Sequence, residues 1–145
     1  MSTKCAFCEM LKDRKENKTF IICLKYGSLF LNLHQQYKGR CLFVLNNHHE
    51  NYHELESDVF GGFNEEVKII GAVINQIFKP DLINYAILGN HIQHVHWHII
   101  PRYKDDSNWG GPPWPSKNIE LRDAEYIELV NLIKNHLLDC IDGKN

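Results

Sequence analysis

The stretch HVHWHIIPR, residues 94–102, sets His94, His96 and His98 at every second position of an otherwise apolar run. Side chains of a strand alternate between its two faces, so the three imidazoles share one face while Val95, Trp97 and Ile99 occupy the other. The apolar face reads as core. The histidine face has no packing rationale, because each buried ring nitrogen needs a hydrogen-bond partner. Two chemistries account for it: a metal held by all three rings, or a phosphate site with a histidine nucleophile. The strand is expected to stop at Pro101.

Three apolar runs precede it, TFIICL, SLFLNL and GRCLFVL, separated by KYGS and HQQYKG. Short β-branched and aromatic runs with glycine between them read as consecutive antiparallel strands, paired most simply as a meander. SDVFGGFNEEVKIIGAVINQIFKPD then opens on a capping pair, Ser57 and Asp58, and spaces Phe60, Phe63, Val67, Ile70, Ile74 and Ile77 by three and four. That is an amphipathic helix over residues 58–78, ended by Pro80. LINYAIL is a fourth strand, broken by Gly89 and Asn90 before the histidine run supplies the fifth. KDDSNWGGPPWPSKN carries no period, so residues 104–120 read as an irregular flap. A C-terminal helix, 122–141, follows through Tyr126, Leu129, Val130, Ile133, Leu137 and Ile141. The sum is an α+β domain over residues 1–145, a five-stranded antiparallel sheet with two helices.

A chain of 145 residues with 43% hydrophobic content has the length of one domain and can bury a core without staples. Its net charge of −2, with no block of basic residues, offers no footprint for extended nucleic acid, so any nucleotide bound is small. No apolar stretch approaches the roughly 20 residues that cross a bilayer, and MSTKCAFCEM lacks the apolar middle of a signal peptide; the expectation is a cytoplasmic protein without a membrane partner. Cys23, Cys41 and Cys140 are scattered singly, which suits a reducing compartment. Cys5 and Cys8, in CAFC, have zinc-ligand spacing, which redox pairs share. No strand precedes them, as a thioredoxin-like motif requires; an empty pair of free thiols is the alternative.

HVHWHII fits the pattern His-φ-His-φ-His-φ-φ, with φ apolar, and so resembles the histidine-triad (HIT) superfamily of nucleotide hydrolases and transferases. The likeness extends to FLNL before a glycine-containing turn, the strand CLFVLNNHH, the helix, LGN leading into the triad and IIPRY leaving it. The resemblance implies a HIT fold in which His96 attacks the α-phosphorus of a nucleotide and carries a nucleoside monophosphate covalently until water releases it. A neutral imidazole is a competent nucleophile near pH 7, provided its second nitrogen is held so that the free lone pair faces phosphorus. His98, on the same face, is expected to meet the charge that develops on the phosphoryl oxygens. Asn90 stands where better-known branches carry a glutamine that contacts phosphate, and reads equally as a turn residue after Gly89. His91 stands where the nucleoside phosphoramidase (Hint) and fragile-histidine-triad (Fhit) branches carry Ser or Thr; a titratable group there is a candidate to protonate the leaving group.

At the nucleoside end, the resemblance implies that Asn32 holds the ribose hydroxyls, an amide as in the Fhit branch. It also implies that Phe30, Leu33, Phe7 and Met10 line the base pocket, although each reads as well as ordinary core. Some HIT proteins and the related galactose-1-phosphate uridylyltransferases join two N-terminal cysteines to two distant histidines. Carried over, this implies a structural zinc on Cys5, Cys8, His48 and His94, with His48 preferred to His49 and His53. HIT proteins generally dimerise around the helix after the third strand, so a homodimer is implied, with Gly61, Gly62 and Gly71 permitting close approach.

The leading function is therefore hydrolysis of a dinucleoside polyphosphate such as diadenosine tetraphosphate, or of a nucleoside phosphoramidate. A phosphorylase using the same residues differs only in its acceptor. The uridylyltransferase branch fits less well, because it carries Gln where His98 stands. A nucleotide-binding module with vestigial catalysis is the reading from another class. A zinc enzyme with Glu50 or Glu54 as base is a third, disfavoured because the triad has no carboxylate beside it. Trp109 and Trp114 in the flap stack on a substrate or pack at a subunit contact.

Overall fold

A computed structural model describes residues 4–114 and 116–143. Five strands, β1 (Phe20–Cys23), β2 (Gly27–Leu31), β3 (Cys41–Leu45), β4 (Leu82–Ile87) and β5 (His96–Arg102), form one antiparallel sheet in the order β1-β2-β3-β5-β4. The first three are the expected meander. β5 then inserts between β3 and β4, which places the histidine strand inside the sheet.

Two long helices, α2 (Ser57–Phe78) and α3 (Asp123–Ile141), cover one face. Phe63, Val67, Ile70 and Ile74 of α2 and Tyr126, Leu129, Ile133 and Leu137 of α3 are buried there with Leu29, Leu31, Phe43, Leu45, Val95 and Ile99. The predicted stripes are therefore the packed ones, except that Phe60 and Ile141 at their ends stay exposed. Phe43 and Phe63 stack with centroids 4.8 Å apart, joining β3 to α2. Glu66 on α2 accepts hydrogen bonds from the backbone N–H groups of Tyr26 and Gly27 at 3.1 Å each, tying the β1–β2 turn to the helix.

The structure corrects four expectations. A third helix, α1 (Ala6–Lys12), lies on the opposite face of the sheet, where Phe7 and Leu11 pack with Phe30 and Val44. Seven residues give too little periodicity to announce a helix, and an isolated helix of that length does not persist; packing of Phe7 and Leu11, four apart, holds it. Second, Ser57 and Asp58 do not cap α2: Glu56 precedes the helix, no side chain caps it, and Asp58 serves the first turn as an acidic residue near the positive end of the helix dipole. Third, β5 runs through Pro101 to Arg102, because pairing to β3 ends at Ile99 and Pro101 lies beyond that ladder, opposite Ile83 of β4. Fourth, Gly62 and Gly71 are used within the chain: an added Cβ would stand 2.0 Å from the Tyr26 ring and 2.1 Å from the Tyr85 hydroxyl, respectively, and only at Gly61 is the space open.

The flap is anchored rather than loose. Arg102, 1% exposed, donates from Nε to Asp106 (2.9 Å), from Nη1 to Asn84 Oδ1 (2.8 Å) and from Nη2 to the Asn108 carbonyl (2.8 Å), with its guanidinium 5.0 Å from the Tyr37 ring centroid. The Tyr37 hydroxyl in turn donates to Asn108 Oδ1 at 2.8 Å. Residues 103–114 are thus folded back around one buried cation. No helix among the described residues is long and apolar enough to cross a membrane.

Candidate active site

β5 sits in register with β3, Val44 opposite His96 and Leu42 opposite His98, so those side chains emerge together on the α1 face. Val95 and Ile99 join the core under α2 and α3, with Trp97 packed against it. His94 lies just before the strand, yet Val95 still accepts from Leu45 N–H at 3.1 Å, which keeps the alternation in phase.

Each ring is oriented by a different partner. His94 donates from Nε2 to the Leu45 carbonyl at 2.7 Å, which leaves its Nδ1 lone pair facing Cys5 Sγ (3.4 Å), Cys8 Sγ (3.6 Å) and His48 Nδ1 (3.2 Å). The ligand atoms of Cys5, Cys8, His48 and His94 all lie within 4.8 Å of one another. Two thiols and two imidazole nitrogens gathered together suit a tetrahedral zinc ion, and Glu50 stands 3.8 Å from the far nitrogen of His48. These four side chains could hold a metal. Burial, then the hydrogen bond and charge of Cys5, raises the Cys8 thiol above its ordinary pKa, a cost that a bound cation would reverse. His49 and His53 are not part of the group.

His96 donates from Nδ1 to the His94 carbonyl at 2.6 Å. Its Nε2 lone pair is left for the pocket, and burial holds the ring below its ordinary pKa and so neutral near pH 7. The Phe7 ring packs edge-on against it, centroids 4.7 Å apart, which ties α1 to the triad. His98 follows, its centroid 5.0 Å from that of His96; burial first, then the charges of His96 and Arg40, depress it to about 4. It too is neutral near pH 7, a hydrogen-bond donor rather than an acid.

These rings open on a pocket of about 600 Å³ with an apolar wall of Phe7, Leu42, Leu88, Ile92 and Trp114 and a polar set of Asn32, Arg40, Asn90, His91, His96 and His98. That size and mixture suit a nucleotide-sized ligand. Gly89, at φ +116°, turns the chain after β4 so that Leu88, Asn90, His91 and Ile92 form one rim. Asn32, Asn90, His91 and Phe7 all line this pocket.

Phe30, Leu33 and Met10 are not in the wall. Phe30 is 1% exposed and packs with Leu11 and Val44 beneath α1, Met10 packs against the same group, and Leu33 is exposed outside the pocket. Alternation explains the miss for Phe30: it does face the histidine side, but α1 covers it. The wall residues missing from the sequence reading are Leu42, Leu88, Ile92 and, above all, the buried cation Arg40. A signal for it existed, since a lone charge at the head of GRCLFVL has the parity of Leu42 and Val44. Trp114 stands edge-on to His98, centroids 5.5 Å apart; Trp109 does not line the pocket.

Two histidines of an inner strand open to a nucleotide-sized pocket, with a third just before the strand turned to a cysteine pair, define a class. The HIT domain family model matches residues 13–105, well over half of the chain, and the chain belongs to that family. It is 28% identical over 106 residues to an uncharacterised HIT-like protein of Methanocaldococcus jannaschii, covering 70% of this chain and 81% of that one. It is 30% identical over 136 residues to an adenosine 5'-monophosphoramidase of Schizosaccharomyces pombe, covering 85% and 92%. Among solved structures, a histidine triad protein of Bradyrhizobium japonicum superposes with a TM-score of 0.77 at 21% identity, over 86% of this chain and 93% of that one. A zinc-bound histidine triad family protein of Mycobacterium smegmatis superposes with a TM-score of 0.71 at 18% identity, over 97% of each chain.

Proposed function

We propose that the protein hydrolyses a nucleotide at its α-phosphate through a covalent nucleotidyl-His96 intermediate. The observation that carries this reading is the pinning of His96 Nδ1 on the His94 carbonyl, which leaves Nε2 as a neutral lone pair facing the pocket. Nε2 attacks the α-phosphorus, a P–N bond forms, and the leaving group departs with the electrons of its bond to phosphorus and takes up a proton, for which His91 is the candidate donor. Water then attacks the same phosphorus; its hydroxyl goes to the nucleoside monophosphate, its other proton is lost to solvent, and the electrons of the P–N bond return to Nε2 of His96. Neutral His98 donates to the phosphoryl oxygens as their charge redistributes, Asn90 adds a second donor at the rim, and Asn32 holds the ribose.

The substrate class is a dinucleoside polyphosphate such as diadenosine tetraphosphate or a nucleoside phosphoramidate; likeness to the fission-yeast phosphoramidase favours the second. Cys5, Cys8, His48 and His94 hold a structural zinc, with no open position for substrate, in a reducing cytoplasmic setting that keeps the thiols available. The protein works as a homodimer through α2 and the edge strand β4, where Leu82 and part of Tyr85 are exposed. Sedimentation at micromolar concentration checks this, and a monomer there overturns it.

The deciding experiment is intact-protein mass spectrometry of wild type and His96→Ala after brief mixing with diadenosine tetraphosphate and with an adenosine phosphoramidate, with product analysis. A nucleotide adduct or adenosine monophosphate release confined to wild type is the expected result, and the faster substrate selects the class. Binding without adduct or turnover would leave a nucleotide-binding module instead.

A further inference from the structure

Arg40 heads the run that becomes β3, on the face it shares with Leu42, Val44 and the histidines. It is 5% exposed, and none of the ion pairs among the described residues includes it. Its Nε is buried without a partner. Its backbone is fixed on both sides: Arg40 N–H donates to Tyr37 O at 3.1 Å, and the Arg40 carbonyl accepts from Asn32 N–H at 2.9 Å and Gln35 Nε2 at 3.0 Å. The guanidinium lies with Nη2 3.5 Å from His98 Nδ1 and its carbon 5.9 Å from the Trp114 ring centroid. A buried cation without a counter-charge is costly, so its position calls for a reason other than stability.

A guanidinium has only donors, and it tolerates the neighbouring ring nitrogen only as a lone pair. Neutral imidazole has one proton to place, and what one nitrogen meets decides where the proton goes. We propose that Arg40 is a positioning residue: its guanidinium keeps Nδ1 of His98 unprotonated, so that His98 presents Nε2–H as a neutral donor to the phosphoryl group held before His96. The direction of that donation rests on the phosphoryl-transfer reading above; the tautomer does not.

The test is 15N NMR of histidine-labelled wild type, Arg40→Lys and Arg40→Met at pH 7.5, paired with steady-state kinetics. Wild type is expected to show His98 as the Nε2–H tautomer, Arg40→Lys to keep it, and Arg40→Met to show a mixture with Nδ1–H. In parallel, Arg40→Met lowers kcat by about 10- to 100-fold with a smaller change in KM, as expected for a weakened transition-state donor. An unchanged Nε2–H tautomer in Arg40→Met overturns the proposal. So does a wild-type His98 already protonated on Nδ1, which needs no variant to fold. The expected tautomers together with an absence of nucleotide turnover would support the hold of Arg40 on His98 while removing the phosphoryl-transfer reading.

Discussion

The carbonyl of His94 lies 2.6 Å from Nδ1 of His96, while the ring of His94 turns to the cysteine pair. One residue thus orients the candidate nucleophile with its backbone and joins the candidate metal group with its side chain. The two sites therefore share a residue.

Removing the imidazole of His96 should abolish turnover without unfolding the chain. His96→Ala is expected to lose about 10³-fold or more in kcat, the scale seen when a nucleophile is deleted. Circular dichroism should match wild type, and the nucleotide adduct should vanish from the mass spectrum. Retention of more than a tenth of the activity would exclude His96 as nucleophile.

His91 lies on the pocket rim, where a proton donor to the leaving group would stand. His91→Ala is expected to slow substrates with basic leaving groups by about 10²-fold or more and to spare activated esters with good ones. Equal losses on both substrates would remove it from that role.

Elemental analysis of the purified protein should find one zinc per chain. Stripping it, or replacing Cys5 or Cys8 with Ala, should lower Tm by roughly 5 °C or more, as a loss of a few kcal/mol does for a domain of this size. Activity should fall as well, because Cys5 and Cys8 bracket Phe7, which packs on His96. A metal-free protein with wild-type Tm would refute the site.

His98 is depressed to about 4 in the folded chain, against about 6.5 for a free imidazole. Between those values the unfolded chain binds the extra proton, so stability rises with pH. The contribution is complete above about pH 6.5 and is lost progressively as pH falls toward 4. His94 and His96 are shifted in the same direction, chiefly by burial. Urea denaturation across this range should therefore give a shallower slope for His98→Gln than for wild type; parallel profiles would contradict the assignment.

Arg102→Met should release the flap. Loss of the buried guanidinium removes its hydrogen bonds to Asp106, Asn84 and the Asn108 carbonyl and leaves Asn84 Oδ1 without its donor, a loss of about 2–4 kcal/mol. Proteolysis should then cut within residues 103–114 under conditions that leave wild type intact. Equal resistance would show that Arg102 does not hold the segment.

The period-two histidines, the three upstream apolar runs and the two stripes of α2 and α3 were legible because each is a local pattern tied to one backbone geometry. The family likeness singled out Asn32, Asn90, His91 and Phe7, which line one pocket, and Cys5, Cys8, His48 and His94, whose ligand atoms lie together. Local pattern failed where a neighbour far along the chain made the choice. Phe30 has the parity of a pocket residue, but α1 covers it; Gly62 and Gly71 have the size of contact residues, but Tyr26 and Tyr85 use the space.

By itself, then, the sequence determined which residues alternate, which faces are apolar and which chemical groups are available, since these follow from covalent spacing and side-chain type. Tertiary structure alone decided that β5 enters between β3 and β4, that Arg40 is buried beside His98, and that a flap without any period is held by Arg102. Those outcomes depend on contacts between segments distant in the chain, whose energies of desolvation and pairing no local window contains.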